Sequence, residues 1–153
     1  MSRLLLVYAG QPGGRIHRMV NALQRIISDS GEPITLVVRP ALQATAADLL
    51  DASGLLLATP EHFGYMAGAL KDFFDRTFYP VEGKTTGLPY ALLVSAGTDG
   101  TGTCRAVERI ARGYGWREIA APLIVVGDIT DEALSQVAEL GVTLAAGLAA
   151  GIF

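Results

Sequence analysis

Apolar residues are concentrated in five short runs along the chain, each of the length of a β-strand. The runs are nearly continuous rather than alternating with polar residues, which is typical of strands covered by helices on both faces. We therefore predict five strands, at residues 4–8, 34–38, 55–59, 90–95 and 123–126.

Between these runs, apolar residues recur at intervals of three and four, the period of an amphipathic helix. A shorter helix is predicted at residues 41–51, and Thr130, followed by Asp131 and Glu132, predicts the N-cap of the last helix. The four longer helices are predicted from the faces Ile16, Met19, Val20, Leu23 and Ile27; Leu70, Phe73, Phe74 and Thr77; Val107, Ile110, Ala111 and Tyr114; and Leu134, Val137, Gly141, Leu144 and Leu148.

Strand and helix alternate five times, without an internal repeat or a linker. Parallel strands with right-handed crossovers explain this alternation most simply. We predict one domain over residues 1–153, an α/β three-layer sandwich whose five-stranded parallel sheet has the order 2-1-3-4-5. In such folds, ligands bind beyond the carboxyl ends of the strands, near the switch between the first and third.

Composition narrows the classes of function. Half of the residues are hydrophobic and 18% are charged, as in a well-packed globular protein. The net charge of −3 offers no overall basic field, so we expect no nucleic-acid partner. No apolar run approaches the ~20 residues that span a bilayer, and no cleavable signal segment is recognisable, so we expect a cytoplasmic protein with no membrane partner.

The chain has one cysteine, Cys104, and two histidines, His17 and His62. A single cysteine excludes an internal disulfide and a multi-cysteine metal site, and we expect it to be a buried helix residue. No serine elbow, catalytic triad or acidic cluster at the first strand is present. We therefore predict neither a metal site nor a catalytic acid, base or nucleophile.

The loop after the first predicted strand, residues 9–18, suits a phosphate group. Its glycines expose backbone N–H groups just before a helix, whose N-terminus attracts anions. Arg15 and Arg18 add positive charge, and His17 adds a possible donor. The loop matches neither GxGxxG nor GxxxxGK[ST], and a glycine-rich turn with solvated arginines explains it equally well.

Two further loops are expected at the same edge of the sheet. After the third strand, Pro60 is expected to end the strand and Gly64 to free the backbone, leaving His62, Phe63 and Tyr65 to project. After the fourth strand, residues 95–103 combine three glycines with four hydroxyl side chains. A ligand with a phosphate at one end and a flat, polar-edged ring at the other would fit all three loops, which indicates FMN.

The segment Thr59-Pro-Glu-His-Phe-Gly64, continued by Gly68-Ala-Leu-Lys71 and Phe73-Phe-Asp75-Arg76, resembles the flavodoxin-like NAD(P)H-dependent FMN reductases and quinone reductases. The resemblance implies that residues 60–64 line the isoalloxazine ring and that residues 96–102 take its other side. Two departures stand out: the phosphate loop has no serine or threonine, and His62-Phe63 replace the usual Tyr-Asn.

Together with the phosphate loop, this gives seventeen predicted FMN contacts. They are Gln11, Gly13, Gly14, Arg15, Ile16, His17, Thr59, Pro60, Glu61, His62, Phe63, Gly64, Ala96, Gly97, Thr98, Gly100 and Gly102.

The resemblance implies an enzyme that binds FMN and passes electrons from NAD(P)H to a quinone or similar small acceptor. Two alternatives stay open: a non-enzymatic FMN electron carrier, and an interaction module that has lost its cofactor. The resemblance also implies a homodimer or tetramer. Residues 73–83 are rich in aromatic side chains, which either form a subunit contact or fill the protomer's own core.

Overall fold

The computed structural model describes residues 1–153, which form seven strands and five helices. In chain order these are β1 (Ser2–Tyr8), α1 (Arg15–Asp29), β2 (Ile34–Pro40), α2 (Ala46–Asp51), β3 (Gly54–His62), β4 (Tyr65–Met66), α3 (Gly68–Val81), β5 (Pro89–Ala96), α4 (Thr101–Tyr114), β6 (Arg117–Glu118), β7 (Leu123–Val126) and α5 (Asp131–Ala150).

The sheet is parallel and has the order β2-β1-β3-β5, with β6 and β7 both pairing to β5. β6 lies beside the start of β5 and β7 beside its end, so the two short strands share the fifth position. The predicted order 2-1-3-4-5 is confirmed. The one antiparallel strand, β4, pairs with the end of β3 outside the body of the sheet.

Helices cover both faces of the sheet, as the continuous apolar runs predicted. One core contains residues of α2, α3 and α4, including Leu49, Phe73 and Val107. The other contains residues of α1 and α5, including Leu23 and Leu144. The central strands β1, β3 and β5 are largely buried between them. The carboxyl ends of all parallel strands, and the loops that follow them, therefore meet at one edge.

The third strand does not stop at Thr59. β3 continues through Pro60 to His62, so the prediction that Pro60 ends the strand was wrong. Pairing between β1 and β3 ends at Ala58, which leaves one side of β3 without a partner at Pro60. A residue without an N–H group is tolerated at such an edge.

Helix α2 is shorter than predicted, because it begins at Ala46 and not at residue 41. Thr45 accepts a hydrogen bond from the backbone of Asp48, whose carboxylate accepts one from the backbone of Thr45. This capping box sets the start of the helix. The carbonyls of Ala41 and Ala44, before the cap, accept hydrogen bonds from Arg76.

Helix α5 begins as predicted, with the Thr130 hydroxyl accepting from the N–H of Ala133. Its predicted face was wrong at Leu134, which is exposed in the first turn, whereas Val137 and Leu144 are buried. By length and composition alone α5 is the one helix apolar enough to cross a membrane. In the structure it packs on α1 and the sheet as a core helix. A cytoplasmic location stays a prediction.

The aromatic segment at the end of α3 mostly fills the protomer. Phe73 and Phe74 are buried, Phe78 packs against the same core, and Tyr79 is 80% exposed. A subunit contact through residues 73–83 would therefore use Tyr79 and its neighbours, and not the three phenylalanines. The expectation of a homodimer or tetramer stays a prediction.

Candidate functional site

A cleft of about 570 Å³ opens at the carboxyl edge of the sheet, between the ends of β1, β3 and β5. This volume is in the range of sites for small ligands and cofactors. It lies where the strand order reverses, between β1 and β3, as expected for this topology. Its lining residues are Gly10, Gln11, Gly14, Arg15, Ile16, Pro60, Glu61, His62, Ala67, Gly68, Ala69, Ser95, Ala96 and Gly97.

Unpaired backbone N–H groups face this edge at the start of α1. No side chain caps the helix, whose first internal hydrogen bond is donated by Arg18 to the carbonyl of Gly14. The N–H groups of Arg15, Ile16 and His17 consequently have no partner within the protein. Three consecutive donors at the positive end of a helix suit a phosphate.

Gly13 and His17 do not line the cleft. The Gly13 N–H donates a hydrogen bond to Nδ1 of His17 at 2.8 Å. The imidazole stacks on Tyr8, with ring centroids 6.1 Å apart. His17 therefore shapes the loop by accepting this bond from Gly13, and its contact with a phosphate stays a prediction.

Arg15 lines the cleft but is paired with Asp128, in the loop before α5. Its Nη2 lies 2.8 Å from Oδ1 of Asp128. The carboxylate side chain is 93% exposed, and exposed ion pairs contribute only ~0–1 kcal/mol. The guanidinium is therefore held weakly and can exchange this partner for a more strongly charged one.

β3 and β4 form a hairpin whose two-residue turn is Phe63-Gly64. Both residues have positive φ, at 54° and 75°, as in a type I′ turn. Phe63 is the one non-glycine residue with positive φ, and its side chain is fully exposed. Neither turn residue lines the cleft, whereas their neighbours His62 and Glu61 do.

Thr59 is fully buried, so its predicted contact with a ligand is not available to its side chain. Its hydroxyl donates to the carbonyl of Pro60 and accepts from the N–H of Ala67. The bond from Ala67 fixes the far end of the hairpin to β3. Thr59 thereby positions Ala67, which does line the cleft.

Glu61 ties the hairpin to the start of α4. Its carboxylate accepts hydrogen bonds from the backbone N–H of Gly100, at 3.1 Å, and from the hydroxyl of Thr103, at 2.9 Å. A carboxylate at a helix N-terminus is also favoured by the helix dipole. Glu61 therefore fixes the loop after β5 relative to the loop after β3.

Two glycines of this region have no room for a side chain. A Cβ on Gly102 would lie 2.6 Å from the carbonyl oxygen of Gly64, at the hairpin turn. Gly100, which has φ 89°, would place one 2.7 Å from Ile124. Neither lines the cleft. Of these predicted contacts, Gly102 thus allows α4 to pack closely on the hairpin, and Gly100 allows the loop before α4 to pack closely on β7.

The loop after β5 presents further free donors. The backbone N–H groups of Gly97, Thr98 and Asp99 make no hydrogen bond within the protein. Gly97 lines the cleft and Thr98 follows it in the exposed turn. Such donors suit the polar edge of a flat ring.

Nine of the seventeen predicted contacts therefore line the cleft: Gln11, Gly14, Arg15, Ile16, Pro60, Glu61, His62, Ala96 and Gly97. Gly13, His17, Thr59, Phe63, Gly64, Thr98, Gly100 and Gly102 do not. Five lining residues were not predicted: Gly10, Ala67, Gly68, Ala69 and Ser95. The run of small residues Ala67-Gly68-Ala69, at the start of the second part of the quoted segment, was the available signal for three of them.

Cys104 is buried in α4, as expected, and does not line the cleft. Burial, helped by the carboxylates of Glu108 and Glu61, raises the pKa of its thiol to about 11. Since a raised pKa keeps the thiol neutral below that pH, we expect about a hundredfold slower reaction with an aromatic disulfide reagent at pH 8 than for an ordinary thiol. Unfolding in denaturant should restore the ordinary rate. Rapid reaction of the folded protein would contradict this assignment.

The sequence matches the family described as NADPH-dependent FMN reductase over residues 13–127. Comparison with curated protein sequences finds no match. Among solved structures, a flavodoxin from the domain Archaea is similar, with TM-score 0.80 and 18% identity over 95% of this chain and 98% of that one.

Two further structures have the same fold. One is described as a flavodoxin, WrbA-like protein from Agrobacterium tumefaciens, with TM-score 0.75 and 17% identity, covering 99% of both chains. The other is an NADPH-quinone reductase from P. pentosaceus, with TM-score 0.71 and 15% identity, covering 95% of this chain and 98% of that one. These likenesses establish the flavodoxin-like fold. Because the family match covers residues 13–127, most of the chain, the chain belongs to the NADPH-dependent FMN reductase family.

Proposed function

We propose that the cleft binds FMN and that the protein passes electrons from NADPH or NADH to a quinone or a similar small acceptor. The observation that carries the proposal is the pair of free donor sets at the cleft. One consists of the N–H groups of Arg15 and Ile16, which line the cleft at the start of α1, with that of His17 next to them; the other is the N–H group of Gly97, which lines the cleft after β5, with that of Thr98 next to it. The family match supports the same cofactor.

The first donor set fits the phosphate of FMN. The loop has no serine or threonine hydroxyl, so backbone N–H groups must supply most of the hydrogen bonds. Arg15 is the cationic side chain that lines the cleft, and a guanidinium binds phosphate bidentately. These residues would hold the phosphate end of the cofactor.

The second donor set and the hairpin fit the ring. Pro60 and His62 line one side of the cleft and Gly97 lines another, while Ala69 and Gly68 leave space between them. Glu61 holds these two sides together through Gly100 and Thr103. The ring would thus contact elements whose mutual position is fixed by buried or partly buried hydrogen bonds.

Bound FMN supplies the hydride and electron chemistry. The protein's residues need only bind the cofactor, orient it and leave a face accessible to the donor and the acceptor. No catalytic acid or base is required for this. The thiol of Cys104, which stays neutral and buried, takes no part in it.

An electron carrier that keeps FMN bound and exchanges electrons with a protein partner is the second candidate. Its basis is the flavodoxin-like fold. Such carriers dock through strongly charged surfaces, whereas this chain has a net charge of only −3. The charge therefore favours the reductase. The third candidate, an interaction module without cofactor, is motivated by the missing hydroxyl groups in the phosphate loop.

The reductase predicts that FMN-loaded protein oxidises NADPH or NADH when a benzoquinone is the acceptor and no other protein is present. Anaerobic stopped-flow absorbance would follow flavin reduction by each nicotinamide. Steady-state assays would follow the reduction of the acceptor. The control is the same mixture with free FMN at equal concentration. Flavin that binds but is reduced by neither nicotinamide would reject the reductase in favour of the carrier.

A further inference from the structure

Phe63 occupies a turn position that does not suit a phenylalanine. With a φ of 54°, it is the one non-glycine residue of the chain with positive φ. Glycine, asparagine and aspartate adopt this left-handed region readily, whereas a bulky side chain held there costs free energy. Asn-Gly is the usual pair in a two-residue hairpin turn, and here the pair is Phe63-Gly64. Backbone strain of this kind is concentrated at functional sites.

Nothing within the protomer offsets this cost. The Phe63 side chain is fully exposed, belongs to neither hydrophobic core and pairs with no other aromatic ring. Its whole apolar surface is left in water, which is a second cost. A contact that favours phenylalanine at this position must therefore come from outside the protomer.

The hairpin holds Phe63 at the edge of the cleft. Glu61 accepts a hydrogen bond from the N–H of Gly100, and the carbonyl of Gly64 packs directly against Gly102. Both contacts join the hairpin to the start of α4, so the turn is not free to fold back onto the protein's own core. His62 and Glu61, the two residues before Phe63, line the cleft. The exposed ring therefore stands beside the opening of the cleft.

The size of the exposed apolar surface indicates a small partner. In the turn Phe63 is flanked by His62 and Gly64, and Tyr65 beyond them is 41% exposed. The other exposed aromatic side chain, Tyr79, is near the far end of α3, roughly 17 Å along the helix from its start. A stable protein interface buries about 800 Å² per partner, far more than one ring supplies. A single phenyl ring suits a small flat ligand, on which it can stack.

We propose that Phe63 stacks on the ring of the quinone acceptor at the opening of the cleft, and that it sets a preference for acceptors with a flat ring. A nicotinamide dinucleotide also carries phosphates and an adenosine through which it can bind, whereas a small quinone offers little besides its ring. The acceptor is therefore the ligand whose affinity depends most on one stacking contact. The inference rests on the proposed function, since it assigns a residue that selects the acceptor of that reaction.

The first test is the KM of the FMN-loaded enzyme for 1,4-naphthoquinone and for ferricyanide, an acceptor without a flat ring. Phe63→Asn should raise the KM for naphthoquinone about 3- to 10-fold, as expected for a lost stacking contact, and change the KM for ferricyanide less than about twofold. Phe63→Tyr keeps the ring and should keep the KM of the parent. Tyr79→Asn is the matched control, because it removes an exposed ring away from the cleft. Equal effects on both acceptors, or no effect on naphthoquinone, would overturn the proposal.

The second test needs neither flavin nor turnover. Because asparagine favours this turn position, Phe63→Asn should raise the Tm of the cofactor-free protein by about 2–4 °C. A lower Tm would mean that Phe63 stabilises the fold, and would overturn the proposal. Sedimentation of the parent and the variant at equal concentration tests a second copy as the partner. An oligomer that is lost with the ring would make Phe63 a subunit contact and would likewise overturn the proposal.

A third measurement separates this inference from the proposed function. FMN-loaded protein reduced with dithionite is mixed with naphthoquinone, which takes up two electrons and two protons and becomes the hydroquinone while the flavin is reoxidised. The quinone concentration that gives half of the maximal rate should be about 3- to 10-fold higher for Phe63→Asn.

If this shift appeared although neither nicotinamide reduced the flavin, only the reductase would be rejected. If a nicotinamide reduced the flavin and no shift appeared, Phe63 would be rejected as the acceptor contact and the reductase would stand. Weaker FMN binding by Phe63→Asn would place the ring on the flavin and overturn the proposal. Absence of FMN binding by the parent would reject both.

Discussion

Replacing Gly102 with alanine should lower the free energy of unfolding by about 1–2 kcal/mol, although alanine is the better helix former. Gly102 is the second residue of α4, and its φ is not positive, so an alanine is compatible with its own backbone. The obstacle is a contact between α4 and the hairpin. The new Cβ would lie 2.6 Å from the carbonyl oxygen of Gly64, a distance that real Cβ atoms essentially never show.

Relief of this contact requires the helix or the hairpin to move, since the opposing atom is backbone. Movement of α4 would strain the bonds from Gly100 and Thr103 to Glu61, which hold two sides of the cleft together. Overpacking of this kind costs about 1–3 kcal/mol, more than the helix propensity that alanine adds. We therefore expect weaker FMN binding together with the lower stability.

Gly113→Ala is the matched control. Gly113 is the second residue from the end of α4, is exposed, and has no neighbouring atom within 4 Å of the position that a Cβ would take. The same chemical change should stabilise the protein there by up to about 1 kcal/mol. Urea unfolding of both variants measures the difference in the free energy of unfolding. In thermal unfolding, each kcal/mol should shift the Tm by ~2–4 °C. Equal effects at the two positions would contradict the close contact between α4 and the hairpin.

Arg15→Ala should weaken FMN binding roughly 10- to 100-fold. A hydrogen bond to a charged group contributes ~1.5–3 kcal/mol, and the phosphate carries roughly −1.5 to −2 charge near neutral pH. In the structure Arg15 is paired with the exposed Asp128, and this pair is worth only ~0–1 kcal/mol. The phosphate is the stronger partner, so the guanidinium is expected to exchange one for the other.

Two comparisons define the role of Arg15. Riboflavin, which has no phosphate, should bind the variant and the parent almost equally. Asp128→Asn should strengthen FMN binding by up to about fivefold, because it removes the competing carboxylate and its repulsion of the phosphate. Calorimetric titration of all three proteins with both ligands gives these values. Equal losses for FMN and riboflavin would mean that Arg15 shapes the loop without contacting phosphate.

The sheet was predictable because buried parallel strands produce apolar runs that survive in the sequence alone. The β3–β4 hairpin was not predictable from the sequence. Its turn is Phe63-Gly64, and a phenylalanine with φ 54° lacks the local preference that makes Asn-Gly or Asp-Gly recognisable. The start of α2 was misplaced although the spacing of Thr45 and Asp48 marks a capping box, because the preceding residues fit a helical pattern as well.

The cleft was predictable where residues carry chemistry, as at Arg15 and Glu61. It was missed where residues supply space, as at Ala67 and Ala69, because a small side chain has no distinctive signal. The role of Glu61 depends on partners 39 and 42 residues away, which no local pattern encodes. Likewise Gly102 and Gly113 are both glycines next to an end of α4, and no local pattern shows that only Gly102 lies against the hairpin.

Calorimetric titration of the cofactor-free protein with FMN tests the central claim most directly. The account predicts saturable binding at a single site, and weaker binding of riboflavin because the donors at the start of α1 are then unused. FAD titrated in parallel shows whether the cleft accepts the larger flavin. Absence of FMN binding at high micromolar concentration would contradict the account and leave the interaction module as the function of this fold.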